Sequence, residues 1–142
     1  MVLHTSGKSG MNGMIETRFV LDTNAVIFLT SRGNVISSDL ESELNEADLY
    51  ISVISEIELF SKPQLPIDEE ESLRVFLSDR INIVGLTSDV KKETIALRRN
   101  TKLKLPDCII AATSVVLNAM LLTNDDHLLN LSRHGLRTQN IV

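Results

Sequence analysis

Phe19-Val20-Leu21-Asp22-Thr23-Asn24 runs from three apolar residues straight into an acid and two hydrogen-bonding side chains. A strand buried on both faces of a parallel sheet reads as such a continuous apolar run. In open α/β sheets ligands sit in the crevice beyond the carboxyl ends of the strands. An acid that closes a buried strand faces that crevice and needs a partner there, because a lone buried carboxylate is costly. The fold class turns on whether strands and helices alternate along the chain, and the chemistry on which other acids meet Asp22.

They do alternate. Strands are expected at Arg18–Leu21, Leu49–Ile54, Ile81–Val84, Met120–Leu122 and Leu136–Val142. Between them, helices are expected over Ala25–Thr30, Asp39–Ala47, Ser55–Ser61, Asp68–Leu77, Ser88–Asn100, Pro106–Ala119 and Asp125–Leu131. The helix from Asp68 opens on four acids, which suits the positive end of its dipole, and sets Leu73, Phe76 and Leu77 on one side. Pro106 reads as a first helical residue. Val90, Ile95 and Leu97 are the inward set of the helix from Ser88. Right-handed crossovers then give a mainly parallel sheet of four to five strands between two helical layers, a three-layer α/β/α sandwich.

With 142 residues, 43% of them hydrophobic and 23% charged, the chain suits one globular domain. No apolar run approaches the roughly 20 residues of a membrane helix, so the expected setting is cytoplasmic with no membrane partner. The single cysteine, Cys108, excludes a disulfide framework and a cysteine-rich zinc site. Residues 1–13, with Gly7, Gly10 and Gly13 and no periodicity, read as a flexible leader, and residues 14–142 as the domain. The net charge of −5 argues against a protein that grips nucleic acid over a broad basic surface. It is compatible with one that meets nucleic acid through a bound cation.

Three further acids share the placement of Asp22. Glu58 follows the strand ending Ile51-Ser52-Val53-Ile54, Asp107 opens the Ala-rich helix, and Asp125 follows Leu121-Leu122-Thr123-Asn124. In a parallel sheet all four lie on one edge. Mg2+ and Mn2+ prefer carboxylate oxygens, whereas close carboxylates without a cation raise each other's pKa. Each acid also has a structural reading. Ser55-Glu56-Ile57-Glu58 and Thr123-Asn124-Asp125-Asp126 fit capping boxes, and Asp107 suits a helix N-terminus. Glu56 competes with Glu58, since residues two apart on a helix point roughly 200° from each other, and spacing alone does not choose.

Taken together, Leu21-Asp22-Thr23-Asn24, Ile51-Ser52-Val53-Ile54-Ser55-Glu56-Ile57-Glu58-Leu59, Leu105-Pro106-Asp107-Cys108-Ile109-Ile110-Ala111-Ala112 and Leu122-Thr123-Asn124-Asp125 resemble the motifs of a PIN domain. The chain is most similar to the VapC-like toxins of toxin–antitoxin pairs, over about Thr17 to Val142. The resemblance implies a Mg2+- or Mn2+-dependent ribonuclease whose metal-binding and catalytic acids are Asp22, Glu58, Asp107 and Asp125. It selects Glu58, which precedes Leu59, over Glu56. It makes Thr23, Asn24 and Thr123 the residues that orient the acids, and it implies a small antitoxin partner and a homodimer. Cys108, where the family usually has a small residue, and Ser61-Lys62-Pro63, in place of a glycine, depart from the pattern without touching the acids.

The chemistry so implied is a metal-activated water attacking an RNA phosphodiester, and no histidine is needed as base. Arg98, Arg99, Lys102 and Lys104 form a basic run before Pro106. It reads either as a helix end matched to its dipole or as a phosphate track for RNA. Two other classes compete. A phosphatase of the haloacid-dehalogenase type wants a second acid two residues after the first, where Asn24 stands. A catalytically silent PIN-fold domain that only binds a partner would have no use for the four acids.

Overall fold

The computed structural model describes residues 17–131 and 135–142. The expected leader, residues 1–13, and His134 lie outside the described residues. In chain order the elements are β1 (Arg18–Leu21), α1 (Thr23–Thr30), α2 (Ser38–Glu46), β2 (Asp48–Ser52), α3 (Val53–Phe60) and α4 (Ile67–Arg80). There follow β3 (Ile81–Val84), α5 (Ser88–Asn100), α6 (Leu105–Val116), β4 (Met120–Thr123), α7 (Asp126–Leu129) and β5 (Arg137–Asn140). The five strands form one sheet in the order β3-β2-β1-β4-β5, and every pairing is parallel.

Alternation along β1 explains the three layers. Phe19 and Leu21 point to one face of the sheet, where they join Leu49, Ile51 and Leu122 under α1, α2, α3 and α4. Val20 points to the other, with Leu121 under α5 and α6. Both faces are thereby removed from water, which is why the central strand is an unbroken apolar run. The expected α/β/α sandwich is the observed fold.

The strand order has a consequence for function. The chain builds from β1 outward through β2 to β3, then crosses to the other side of β1 for β4 and β5. The connections out of β1 and β4 therefore diverge, leaving a crevice between the carboxyl ends of those two strands. No helix among the described residues is long and apolar enough to cross a membrane.

Several expected details differ, and β5 spans only Arg137–Asn140 and α6 ends at Val116. β2 stops at Ser52 instead of Ile54, because the Ser52 hydroxyl accepts from Ile54 N and starts α3 there. The side chain of Ile54 packs into the core from the first helical turn, where it looks like a strand residue in sequence. Ile95 is half exposed, because the buried stripe of α5 runs through Val90, Thr94 and Leu97 at helical spacing and leaves Ile95 beside it. Pro106 is the second residue of α6, which opens at Leu105.

Candidate active site

Asp22 ends β1 and caps α1. Its Oδ1 accepts from Ala25 N at 2.7 Å, the bond expected of an N-cap acid. Its Oδ2 accepts a hydrogen bond from the hydroxyl of Thr123, 101 residues away in sequence and the last residue of β4. Asp22 N also donates to Leu122 O at 3.2 Å, so main chain and side chain both tie the end of β1 to the end of β4. Asp22 is only 4% exposed. Burial first, then the negative charges of Asp125 and Asp107, push its carboxyl above the ordinary aspartate range, against the two hydrogen bonds that favour the anion.

Thr123 is fully buried and works in two directions. While donating to Asp22 it accepts from Asp125 N at 3.0 Å, which fixes the turn that delivers Asp125. Asp125, and not Thr123, caps α7, its Oδ1 accepting from His127 N at 2.8 Å. The capping box expected on Thr123 is absent because α7 starts later: Asp125 is its cap, and Thr123 accepts from Asp125 N in the turn before it. The box expected on Ser55 fails because α3 starts earlier, at Val53. Ser52 caps α3, and Ser55 lies inside the helix with its hydroxyl on Thr23.

Glu58 and Glu56 separate as their spacing requires. Thr23 Oγ1 donates to Glu58 Oε1 at 2.6 Å, which holds Glu58 against the start of α1. Glu56 instead lines a cleft of about 440 Å³ with Phe60, Arg74, Leu77, Ser78, Ile81 and Ile83 at the outer strand β3. Asp107 stands in the first turn of α6. Burial, and after it the charges of Asp125 and Glu58, hold its carboxyl above the usual range, opposed by Lys104 and His127. Asp107 thus feels the charges of Asp125 and Glu58, and Asp22 those of Asp125 and Asp107. Asn24, by contrast, has its side chain exposed.

The basic run is divided. Arg98 Nη1 donates to Leu103 O at 2.7 Å and so braces the loop into α6, whereas Lys104 lends its positive charge to Asp107. Cys108 is fully buried beside Asp107 and burial raises its thiol, so it is a packing residue and no nucleophile.

The donor set around the crevice is all carboxylate oxygen, the chemistry of a Mg2+ or Mn2+ site. Among the described residues no three acid, cysteine or histidine side chains are already gathered to hold a metal. Burial is the largest cause of the raised carboxyls of Asp22 and Asp107, and the neighbouring acids add to it. Asp107 makes no side-chain hydrogen bond among the described residues and is free to turn toward an ion. Donor type and charge fit a divalent cation, and the acids that would complete its shell are the less tethered ones.

A five-stranded parallel sheet with acids around its switch point defines an α/β class with a carboxylate-lined crevice, and the family follows from the comparison. The PIN domain profile matches residues 19–133, and the chain belongs to the PIN domain family. The resemblance to VapC-like toxins holds at the level of the fold. The chain superposes on VapBC2 from Rickettsia felis, bound to a DNA fragment from its promoter, with a TM-score of 0.73 at 22% identity, over 87% of this chain and 98% of that one. It matches DNA-bound VapBC from Salmonella typhimurium with a TM-score of 0.67 at 20% identity, over 89% and 99%. A toxin–antitoxin complex from Klebsiella pneumoniae gives 0.61 at 27% identity, over 83% and 98%. No curated protein matches the chain.

Proposed function

We propose that this PIN domain is a Mg2+- or Mn2+-dependent endoribonuclease, the toxin of a toxin–antitoxin pair acting in the cytoplasm. The observation that carries the reading is the tie between the ends of β1 and β4, which sets Asp22 beside the turn to Asp125, with Asp107 in range of both charges and Glu58 in range of Asp107. In this reading Asp22, Asp107 and Asp125, with Glu58, hold the cation. The ion, when bound, supplies an activated water and stabilises charge on the phosphate.

The chain's own residues do the rest. Thr123 keeps one Asp22 oxygen turned inward and sets the turn that presents Asp125, and Thr23 keeps Glu58 at the rim. Lys104, with Arg99 and Lys102 nearby in sequence, offers positive charge to the RNA backbone at the mouth of an acidic crevice. A small antitoxin and a second copy of the chain are the expected partners; the similarity to structures of toxin–antitoxin complexes supports the first.

The test is cleavage of RNA by the purified protein with Mg2+ or Mn2+, set beside EDTA and beside Asp22→Asn. Metal-dependent cleavage that Asp22→Asn abolishes is the expected result. Equal cleavage by the variant would place the activity elsewhere, and neither cleavage nor metal binding would leave a silent partner-binding domain.

A further inference from the structure

Ser55 has the surroundings of a packing residue and the chemistry of something else. It is 0% exposed, in the first turns of α3, yet it carries a hydroxyl. A serine within a helix usually turns that group to solvent or back to a carbonyl of the preceding turn. Here Ser55 Oγ lies 3.1 Å from Thr23 Oγ1 at the start of α1. Thr23 Oγ1 in turn lies 2.6 Å from Glu58 Oε1.

The direction of this chain follows from counting protons. A hydroxyl has one proton to give, and an ionised carboxylate can only accept. The shorter contact claims the Thr23 proton for Glu58. Thr23 Oγ1 must then be the acceptor toward Ser55, and the Ser55 proton points at Thr23. The result is a one-way relay, Ser55 to Thr23 to Glu58, in which each bond polarises the next. Its root is in the core and its tip is an exposed glutamate, a side chain that would otherwise sample several rotamers.

We infer that Ser55 is a positioning residue, which acts through Thr23 to hold the Glu58 carboxylate at the rim of the acidic crevice. The inference rests on the proposed metal site, for which Glu58 would be a ligand. The residues that orient a ligand from behind commonly cost 10- to 100-fold in metal affinity when lost.

The experiment uses the full chain and Mn2+ alone. Calorimetry should find Mn2+ bound about tenfold more weakly by Ser55→Ala, with affinity restored by Ser55→Thr, which keeps the hydroxyl. In a Glu58→Gln background Ser55→Ala should cause no further loss, because its route to the metal has been cut. In metal-free protein the side-chain carboxyl carbon resonance of Glu58 should move in Ser55→Ala. Unchanged Mn2+ affinity in Ser55→Ala, an equal loss in both Glu58 backgrounds, or an unmoved Glu58 resonance would overturn the positioning role and leave the metal site standing. Failure of the unmodified protein to bind Mn2+ would overturn the proposed function, and this inference with it.

Discussion

The two halves of the acidic crevice are built differently. Asp22 is buried, and both its oxygens are engaged by groups that belong to the framework, Ala25 N and the Thr123 hydroxyl. Asp107 stands at the other extreme, with no side-chain bond among the described residues. Glu58 and Asp125 lie between, each held through one side-chain oxygen on an otherwise exposed or half-exposed residue. One half is set during folding and the other is left to respond. A site that must admit and release a charged substrate needs both, since a fully tethered set of acids could not close around an ion and an untethered set would lose too much entropy in doing so.

The comparison breaks most visibly at Asp22. Asp22→Asn keeps the shape and can keep both hydrogen bonds, the amide oxygen accepting from Ala25 N and the amide nitrogen donating to Thr123 Oγ1. Only the charge is lost. RNA cleavage should fall on the order of 10³-fold, because in the proposed function several kcal/mol of charge stabilisation at the phosphate depend on a metal that Asp22 would hold. Single-turnover cleavage at saturating Mn2+ measures this; a fall of less than about tenfold would mean that the framework half is structural only.

Thr123→Val should come next. The substitution keeps the buried volume while removing one donor and one acceptor, so Asp22 Oδ2 and Asp125 N both lose a partner. Leaving such groups unmet costs about 1–3 kcal/mol, readable by chemical denaturation, and cleavage should drop about 10- to 100-fold as the acids lose their orientation. Thr123→Ser, which keeps the hydroxyl, should recover most of the activity. If Thr123→Val loses stability and no activity, the tie between β1 and β4 serves the fold alone.

Much of this site was legible in the chain. Asp22 closes an unbroken apolar strand, and that pattern alone gives a doubly covered parallel sheet with an acid at its edge. The strand alternation then puts Glu58, Asp107 and Asp125 on the same edge. What was not legible was which hydroxyl served which acid. Ser55 and Thr123 look like caps in sequence and Ser52, which does cap, looks like part of a strand, since a cap is recognised by its spacing to local main-chain groups. Two of them are instead committed to side chains far along the chain, and only the packing of α1 against α3 and of β1 against β4 decides that. A signal for Ser55 did exist, because it stands three residues before Glu58 and so on the same helical face. Ile54 was misplaced for a related reason: a β-branched residue at the border of an element suits strand or helix until the neighbours are fixed.

The smallest expected effect separates the two halves most cleanly, because it needs no substrate. Asp22 is held above the ordinary value of 3.8 mainly by burial. Between that value and its raised one the folded metal-free protein binds more protons than the unfolded chain, so the stability due to this group falls as pH rises through the window. The amide that replaces the carboxyl in Asp22→Asn has no proton to lose. The variant should therefore match the unmodified protein near the ordinary aspartate value and become the more stable of the two as pH increases, with the difference levelling off above the raised value. Urea denaturation at a series of pH values in EDTA measures this. Saturating Mn2+ should reverse the order, since a ligand that binds only the folded, ionised site stabilises it by mass action. A difference independent of pH would mean that the two hydrogen bonds already offset the burial of Asp22, and that the framework half carries no stored charge for a cation to relieve.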